Sequence, residues 1–160
     1  MTDSSHIASL AATHNVTFTP MRLEDLDWLA ASESEIYPFP WHRGNFADSL
    51  TAGHSGWLVH YDGVRSGYAI VMTVLDEAHI LNVNILPSVQ RRGLGTLMLD
   101  KLRTVAREAG ATQMFLEVRR SNEVAQALYY RWGFRPVGVR KNYYPAADGR
   151  EDAVVMACKL

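Results

Sequence analysis

HILNVNILPSVQRRGLGTLMLDKLRTVAREAG, residues 79–110, decides how the rest of the chain is read. Its first part is an apolar run rich in β-branched residues that stops at Pro87, as a strand does. Its last part places Leu94, Leu97, Met98, Leu102, Val105 and Ala106 at helical spacing, and Gly110 ends the pattern. Between them lies Gln90-Arg91-Arg92-Gly93-Leu94-Gly95-Thr96. A glycine-rich turn lets backbone approach a ligand closely. The first N–H groups of the helix it opens have no intrahelical partner, so an anion is favoured there. Arg91 and Arg92 add positive charge, and the expected guest is a phosphate or pyrophosphate. Met98 stands where a dinucleotide fingerprint needs its third glycine, and no Gly-Lys-Ser/Thr of a nucleotide-triphosphate loop occurs.

Working outward, residues 22–36 carry Leu23, Leu26, Leu29 and Ala30 on one helical face. The prolines and aromatics of YPFPW (37–41) break that helix, and a short helix is expected near 43–52. GWLVHY (56–61), SGYAIVMTVLDEA (66–78) and HILNVNILP (79–87) read as three successive strands, the first two joined by an Asp62-Gly63 hairpin turn. QMFLEV (113–118) is another strand, and Ser121 or Asn122 caps a helix running to Trp132. Two last strands, near 134–142 and 151–158, flank Ala146-Ala147-Asp148-Gly149. The class is α+β with a mixed, mainly antiparallel sheet. Residues 1–15 are small and polar and are expected to form a flexible arm before a single domain over 16–160.

With 160 residues, 48% hydrophobic and 21% charged, the chain has the composition of a soluble globular protein with one core. No run of 18 apolar residues and no signal peptide are read, so a cytoplasmic location is expected. One cysteine, Cys158, excludes a disulfide framework, and the six histidines show no metal-ligand spacing, so no metal is expected. The net charge of −1 predicts no general affinity for nucleic acid. Residues 1–80 hold 3 basic and 10 acidic side chains, whereas residues 81–160 hold 13 basic and 7 acidic. That asymmetry suits a cationic ligand in one half and an anionic one in the other, or two halves that neutralise each other.

QRRGLG followed by N-x-x-A-x-x-x-Y-x-x-x-G-F resembles the GNAT family of acetyl-CoA-dependent N-acetyltransferases. LDEA (75–78), LEVR (116–119), SN (121–122), ALYY (127–130), GF (133–134) and RKNYYPAADGREDAVVM (140–156) are similar to the RimI-type ribosomal-protein-alanine branch. FPW (39–41) with Phe46 matches that branch's substrate loop, and the resemblance covers roughly residues 16–157. It implies a GNAT fold: six to seven strands, about four helices, and a splayed strand pair forming the acetyl-CoA cleft. The cofactor would lie between the strands at 80–86 and 113–118. The backbone of Val83, Asn84 and Ile85 would meet its acetyl and pantetheine groups, Arg91, Arg92, Gly93, Leu94, Gly95 and Thr96 its pyrophosphate, and Asn122 its pantetheine arm. The resemblance implies a small apolar residue, usual in the family, where this chain has Asn84.

Acetyl transfer needs a neutral amine and a proton for the departing thiolate. Glu117 sits in an apolar strand, where burial would raise its pKa and suit it to general-base work; pairing with a neighbour such as Arg119 is the alternative. The resemblance places Glu117 on the family's proton acceptor. Tyr129 and Tyr130 point about 100° apart on a helix and spacing does not choose between them. The family position selects Tyr129 as proton donor. An α-amine with pKa ~7.7–8.0 is deprotonated more easily than a lysine at ~10.4, by ~3.4 kcal/mol, which favours an N-terminal amine.

Tyr37, Phe39, Trp41, Tyr143 and Tyr144 are candidate walls of a peptide groove, and Glu24, Asp25, Asp27, Glu33 and Glu35 could attract a basic peptide, though most of these acids are expected on a solvated face. The substrate the resemblance implies is the N-terminal alanine of small-subunit ribosomal protein eighteen, with a monomeric enzyme and no membrane or direct nucleic-acid contact. Broader N-terminal, lysine or small-amine specificity, or a non-catalytic acyl-CoA-binding module, are the rival readings.

Overall fold

The computed structural model describes residues 15–160; the arm expected over 1–15 lies outside the described residues except for Asn15. Asn15 exchanges hydrogen bonds with Asp62, whose N–H donates to its carbonyl at 2.9 Å.

The elements run β1 (Val16–Pro20), α1 (Leu26–Ile36, led by a 3-10 turn at Leu23–Asp25), α2 (Arg43–Thr51), β2 (Ser55–Tyr61), β3 (Val64–Val74), β4 (Glu77–Ile85), α3 (Leu94–Glu108), β5 (Gln113–Arg119), α4 (Glu123–Arg131), β6 (Arg135–Ala146) and β7 (Gly149–Lys159). The seven strands form one sheet in the order β1-β2-β3-β4-β5-β7-β6. Only β4 and β5 pair in parallel, because the α3 crossover joins them, and the other neighbours are antiparallel. The expected fold class is the one observed.

Each face of the sheet carries its own core. On one, α3 packs Leu94, Met98, Leu99, Leu102 and Ala106 against Ala69, Val71, Ala78, Met114 and Leu116. On the other, Leu26 and Leu29 of α1 and Phe46 of α2 pack against Leu58, Tyr68 and Ile70. β3 is therefore buried on both faces, and this explains why YAIVM (68–72) reads as a continuous apolar run rather than an alternation. Truncating such a side chain, Leu102→Ala for example, costs about 2–5 kcal/mol.

Two strand boundaries depart from expectation. The second strand does not run through LDEA: it stops at Val74, Leu75 turns the chain at φ 55°, and Glu77 already belongs to β4. Leu75 is 89% exposed, so an apolar residue masks a turn. The β6–β7 hairpin is longer than expected and closes at Ala147-Asp148. Pro145 does not end β6, because β6 is the sheet's edge and its missing N–H breaks no ladder.

β4 contains the irregularity that shapes the site. Ile70 faces Asn82 but Val71 faces Ile80, so Leu81 is an extra residue in the ladder. Ala78 and Ile80 face the α3 side; Leu81 and Asn82 in succession both face the α1 side. Beyond the bulge, Val83 and Ile85 return to the α3 side and Asn84 to the α1 side.

Candidate active site

β4 and β5 pair only from Glu77 to Ile80 against Gln113 to Leu116. Past that point they splay, and a cleft of about 690 Å³ opens between them. Among its lining residues are Asn82, Val83, Asn84, Glu117, Asn122, Tyr129 and Tyr144. The cleft-side backbone groups of β4 beyond Ile80 have no strand to pair with, which suits an extended, amide-bearing guest.

Glu117 projects from β5 into the cleft, but it is neither sealed in an apolar strand nor paired with Arg119. Its side chain is 24% exposed, and Arg140 of β6 holds its carboxylate at 2.9 Å. The Tyr143 hydroxyl bonds to it as well, and burial, followed by this bond and the Glu117 charge, raises the pKa of that phenol. β7 lies between β5 and β6, and Ala153 pairs with both Arg119 and Arg140. The guanidinium reaches Glu117 over this small side chain.

On α4, Tyr129 lines the cleft while Tyr130 is 54% exposed beneath Arg135, whose guanidinium lies 3.7 Å from its ring centre. Tyr129 packs edge-on to Trp132 and Phe134, and burial pushes its pKa up to about 12. A proton donor at 12 is weaker than one near 10 by about 1.4 kcal/mol per unit.

Arg119 closes the cleft mouth. Its guanidinium lies between the rings of Phe39 (5.6 Å) and Tyr144 (4.6 Å), donates to the Pro145 carbonyl at 2.7 Å and pairs with Glu151 at 2.8 Å. Charged residues at the start of β7 serve this arrangement. Asn142 sits at φ 52° in a bulge of β6. Its N–H donates to Asp152 at 2.9 Å, and Arg150 donates to the carbonyls of Asn142 and Tyr143 at 2.7 and 2.8 Å. Arg150 and Asp152 thus fix the backbone that presents Tyr143 and Tyr144, while Glu151 holds Arg119 and accepts from the Ser121 N–H. Of the five expected wall residues, Tyr37, Phe39, Trp41 and Tyr144 line the cleft; Tyr143 meets it through Glu117.

At the start of α3, Gly93 caps the helix at φ 81° and Leu97 is the first residue whose N–H bonds back, to the Gly93 carbonyl at 3.2 Å. The amides before it point out of the helix end. Leu94 is buried in the core, so only its backbone faces outward. Gly95 is small for a reason the sequence does not show: a Cβ there would stand 3.2 Å from the Trp132 indole. Arg91 is exposed; Arg92 lies over the Tyr61 ring at 5.5 Å and donates to its hydroxyl at 3.4 Å. Gln90 donates to the Ile85 carbonyl at 3.0 Å, and Asn122 lines the cleft while its Oδ1 caps α4 through the Ala125 N–H at 3.0 Å.

Sequence reading missed a buried polar chain on the α1 wall. Glu33 is only 4% exposed, and its carboxylate accepts from Asn82 Nδ2 and Asn84 Nδ2, both at 3.1 Å, and from the Tyr68 hydroxyl. Burial raises the Glu33 pKa, and the bonds from Tyr68, Asn82 and the Trp41 N–H oppose the rise. Burial and then the Glu33 carboxylate push the Tyr37 and Tyr68 phenols above their ordinary range. Of the other helix acids, Asp25 is buried against Arg65 at 3.2 Å; Glu24, Asp27 and Glu35 are exposed. Cys158 is half-buried, and burial raises its thiol pKa. Among the described residues no group of three or more His, Cys, Asp and Glu is placed to hold a metal, and no helix is long and apolar enough to cross a membrane.

The sequence profile of the acetyltransferase (GNAT) family matches residues 22–134. The chain is 37% identical over 144 residues to an Escherichia coli ribosomal protein bS18-alanine N-acetyltransferase, covering 90% of this chain and 97% of that protein. It is 41% identical over 137 residues to the Haemophilus influenzae protein of the same description, covering 85% and 93%. The crystal structure of an E. coli ribosomal-protein-alanine N-acetyltransferase superposes with a TM-score of 0.82 at 36% identity, covering 90% of this chain and 93% of that one. A GNAT acetyltransferase from Elizabethkingia anophelis with acetyl-CoA bound shares the fold, with a TM-score of 0.72 at 19% identity, covering 91% and 99%.

Proposed function

The chain belongs to the GNAT acetyltransferase family, and from that premise we propose that it acetylates the N-terminal alanine of ribosomal protein bS18. The observation that carries this reading is the 37% identity to bS18-alanine N-acetyltransferases, which spans 90% of the chain. Acetyl-CoA, when bound, supplies the acetyl thioester. The splayed strands, the unpaired β4 backbone and the outward amides of α3 fit its pantetheine and pyrophosphate.

In this reading the backbone of Val83, Asn84 and Ile85 takes the acetyl and pantetheine end, Arg91 to Thr96 take the pyrophosphate, and the amide of Asn122 meets the arm. A β4 N–H polarises the thioester carbonyl. Glu117 accepts a proton from the α-amine, directly or through water, as the amine nitrogen bonds to the carbonyl carbon. Tyr129 donates its proton to the sulfur as the carbon–sulfur bond breaks. Arg140 and the Tyr143 hydroxyl orient the base. Tyr37, Phe39, Trp41 and Tyr144 wall the peptide, and exposed Glu24, Asp27 and Glu35 favour its basic residues. The enzyme works as a cytoplasmic monomer, with residues 16–160 as one catalytic domain, and without nucleic acid, membrane or metal.

Incubation with acetyl-CoA and an alanine-initiated basic peptide tests this. Thiol should be released between pH 6 and 9, and mass spectrometry should place the acetyl group on the α-amine. No release at any pH in that range, or acetyl found on lysine alone, overturns the reading.

A further inference from the structure

The buried chain of the α1 wall has a fixed direction. Asn84 donates through Nδ2 to Glu33 at 3.1 Å and to the Asn82 Oδ1 at 2.9 Å. Both acceptors lie on one side, so the amide is oriented and its Oδ1 faces the Tyr37 hydroxyl. An amide oxygen cannot donate, so the phenol must. A phenol has one proton, and once that proton is committed to Asn84 only lone pairs remain to face the cleft. Asn82 locks the other end, with its Oδ1 taken by Asn84 and its Nδ2 by Glu33.

We propose that Asn84 is a positioning residue that, by taking the Tyr37 proton, makes the phenol oxygen an acceptor for an N–H of the substrate α-amine. This deepens the N-terminal acetylation reading and rests on it. The amine must attack with its lone pair. A free hydroxyl beside it would rotate and donate to that lone pair, competing with the thioester carbonyl. A hydroxyl whose proton points away accepts an N–H instead and turns the lone pair toward the carbonyl. Tyr37 stands where this is useful: it lines the same cleft as Glu117 and Tyr129, and its ionisation is opposed by both Glu33 and Tyr129.

The test is a double-variant cycle on the full chain, with an alanine-initiated peptide and acetyl-CoA. Asn84→Ala and Tyr37→Phe should each lower kcat about tenfold and leave the KM for acetyl-CoA within twofold. The double variant should be no slower than Tyr37→Phe, because Asn84 acts through that hydroxyl. If the two losses multiply in the double variant, Asn84 does not act through Tyr37 and the proposal is overturned with the function intact. If the wild-type chain transfers nothing to the peptide α-amine, the function reading and the proposal both fall. Should Asn84→Ala not fold, Asn84→Ser takes its place under the same criterion.

Discussion

Arg140 reaches across the whole width of β7 to hold Glu117 at 2.9 Å, so the proposed base is gripped by a strand that is not its neighbour. The nearer arginine in sequence, Arg119, is drawn off by Glu151. A pair that is 57% and 24% exposed adds little to stability, about 0–1 kcal/mol. Its effect should appear in turnover. Arg140→Met should keep the urea midpoint nearly unchanged, with stability altered by less than about 1 kcal/mol, while slowing acetyl transfer severalfold. Glu117→Gln should slow it by about 10²-fold or more with acetyl-CoA affinity intact. Unchanged turnover in the Gln variant would remove Glu117 from the role of base.

Arg119 links the α1–α2 loop to the β6–β7 hairpin through two rings, a carbonyl and a carboxylate. Without it the Phe39 segment loses its anchor over the cleft. Arg119→Ala is expected to raise the peptide KM roughly tenfold, with about 1.4 kcal/mol of binding lost, and to spare the KM for acetyl-CoA. Glu151 is held ionised first by its hydrogen bond to Arg119 and then by Ser121, so its pKa lies below the ordinary carboxylate value of 4.5. The contribution is complete above that value and fades as pH falls beneath it. The gap in melting temperature between wild type and Glu151→Gln should therefore narrow from pH 6 to pH 3.

Tyr129 gives an alkaline signature. In the folded chain its phenol keeps its proton until about pH 12, against 10.0 for an ordinary tyrosine, because burial disfavours the phenolate. Folding thus favours the protonated form. The contribution is whole below pH 10 and is lost as pH rises toward 12, at up to about 1.4 kcal/mol per unit. Urea midpoints at pH 8 and pH 11 should fall less for Tyr129→Phe than for wild type, by up to about 1.4 kcal/mol in stability. The same variant should slow turnover by about 10²-fold or more.

Gly67 faces Ile85 in the ladder, and a Cβ there would stand 2.6 Å from the Asn84 carbonyl oxygen, 2.8 Å from Ile85 and 3.0 Å from Val59. Backbone cannot yield as a flexible side chain can. Gly67→Ala is expected to cost about 1–3 kcal/mol and to push β4 where it borders the cleft. Thermal unfolding and acetyl-CoA binding should both be impaired. A variant with wild-type melting would show that β4 gives way freely.

The legible parts were those written in local spacing. The α3 stripe from Leu94 to Ala106, the Asp62-Gly63 turn and the apolar β3 run each declare themselves within one element. The Glu33 chain did not, because it is assembled from α1, β3 and β4. Two signals were nevertheless present. Glu33 continues the Leu26–Leu29 stripe, where an apolar residue belongs. Asn82 and Asn84 share a face of an otherwise apolar strand. Buried polar groups need partners, so three such residues in core positions imply one another. Likewise the roles of Arg150 and Asp152 stay hidden until the Asn142 bulge supplies the backbone groups they satisfy, and that of Glu151 until the fold brings up Arg119 and the Ser121 N–H.

The extra residue at Leu81 shifts the phase of a strand by half a period. Delete it, and the alternation of β4 becomes regular: Ile80 stays toward α3, Asn82 toward α1, and Val83, Asn84 and Ile85 keep the sides they now hold. One codon therefore sets the local bend of the strand and the seating of Leu81 against α1, so shortening β4 by that position should leave both amides on Glu33 and alter instead how β4 parts from β5.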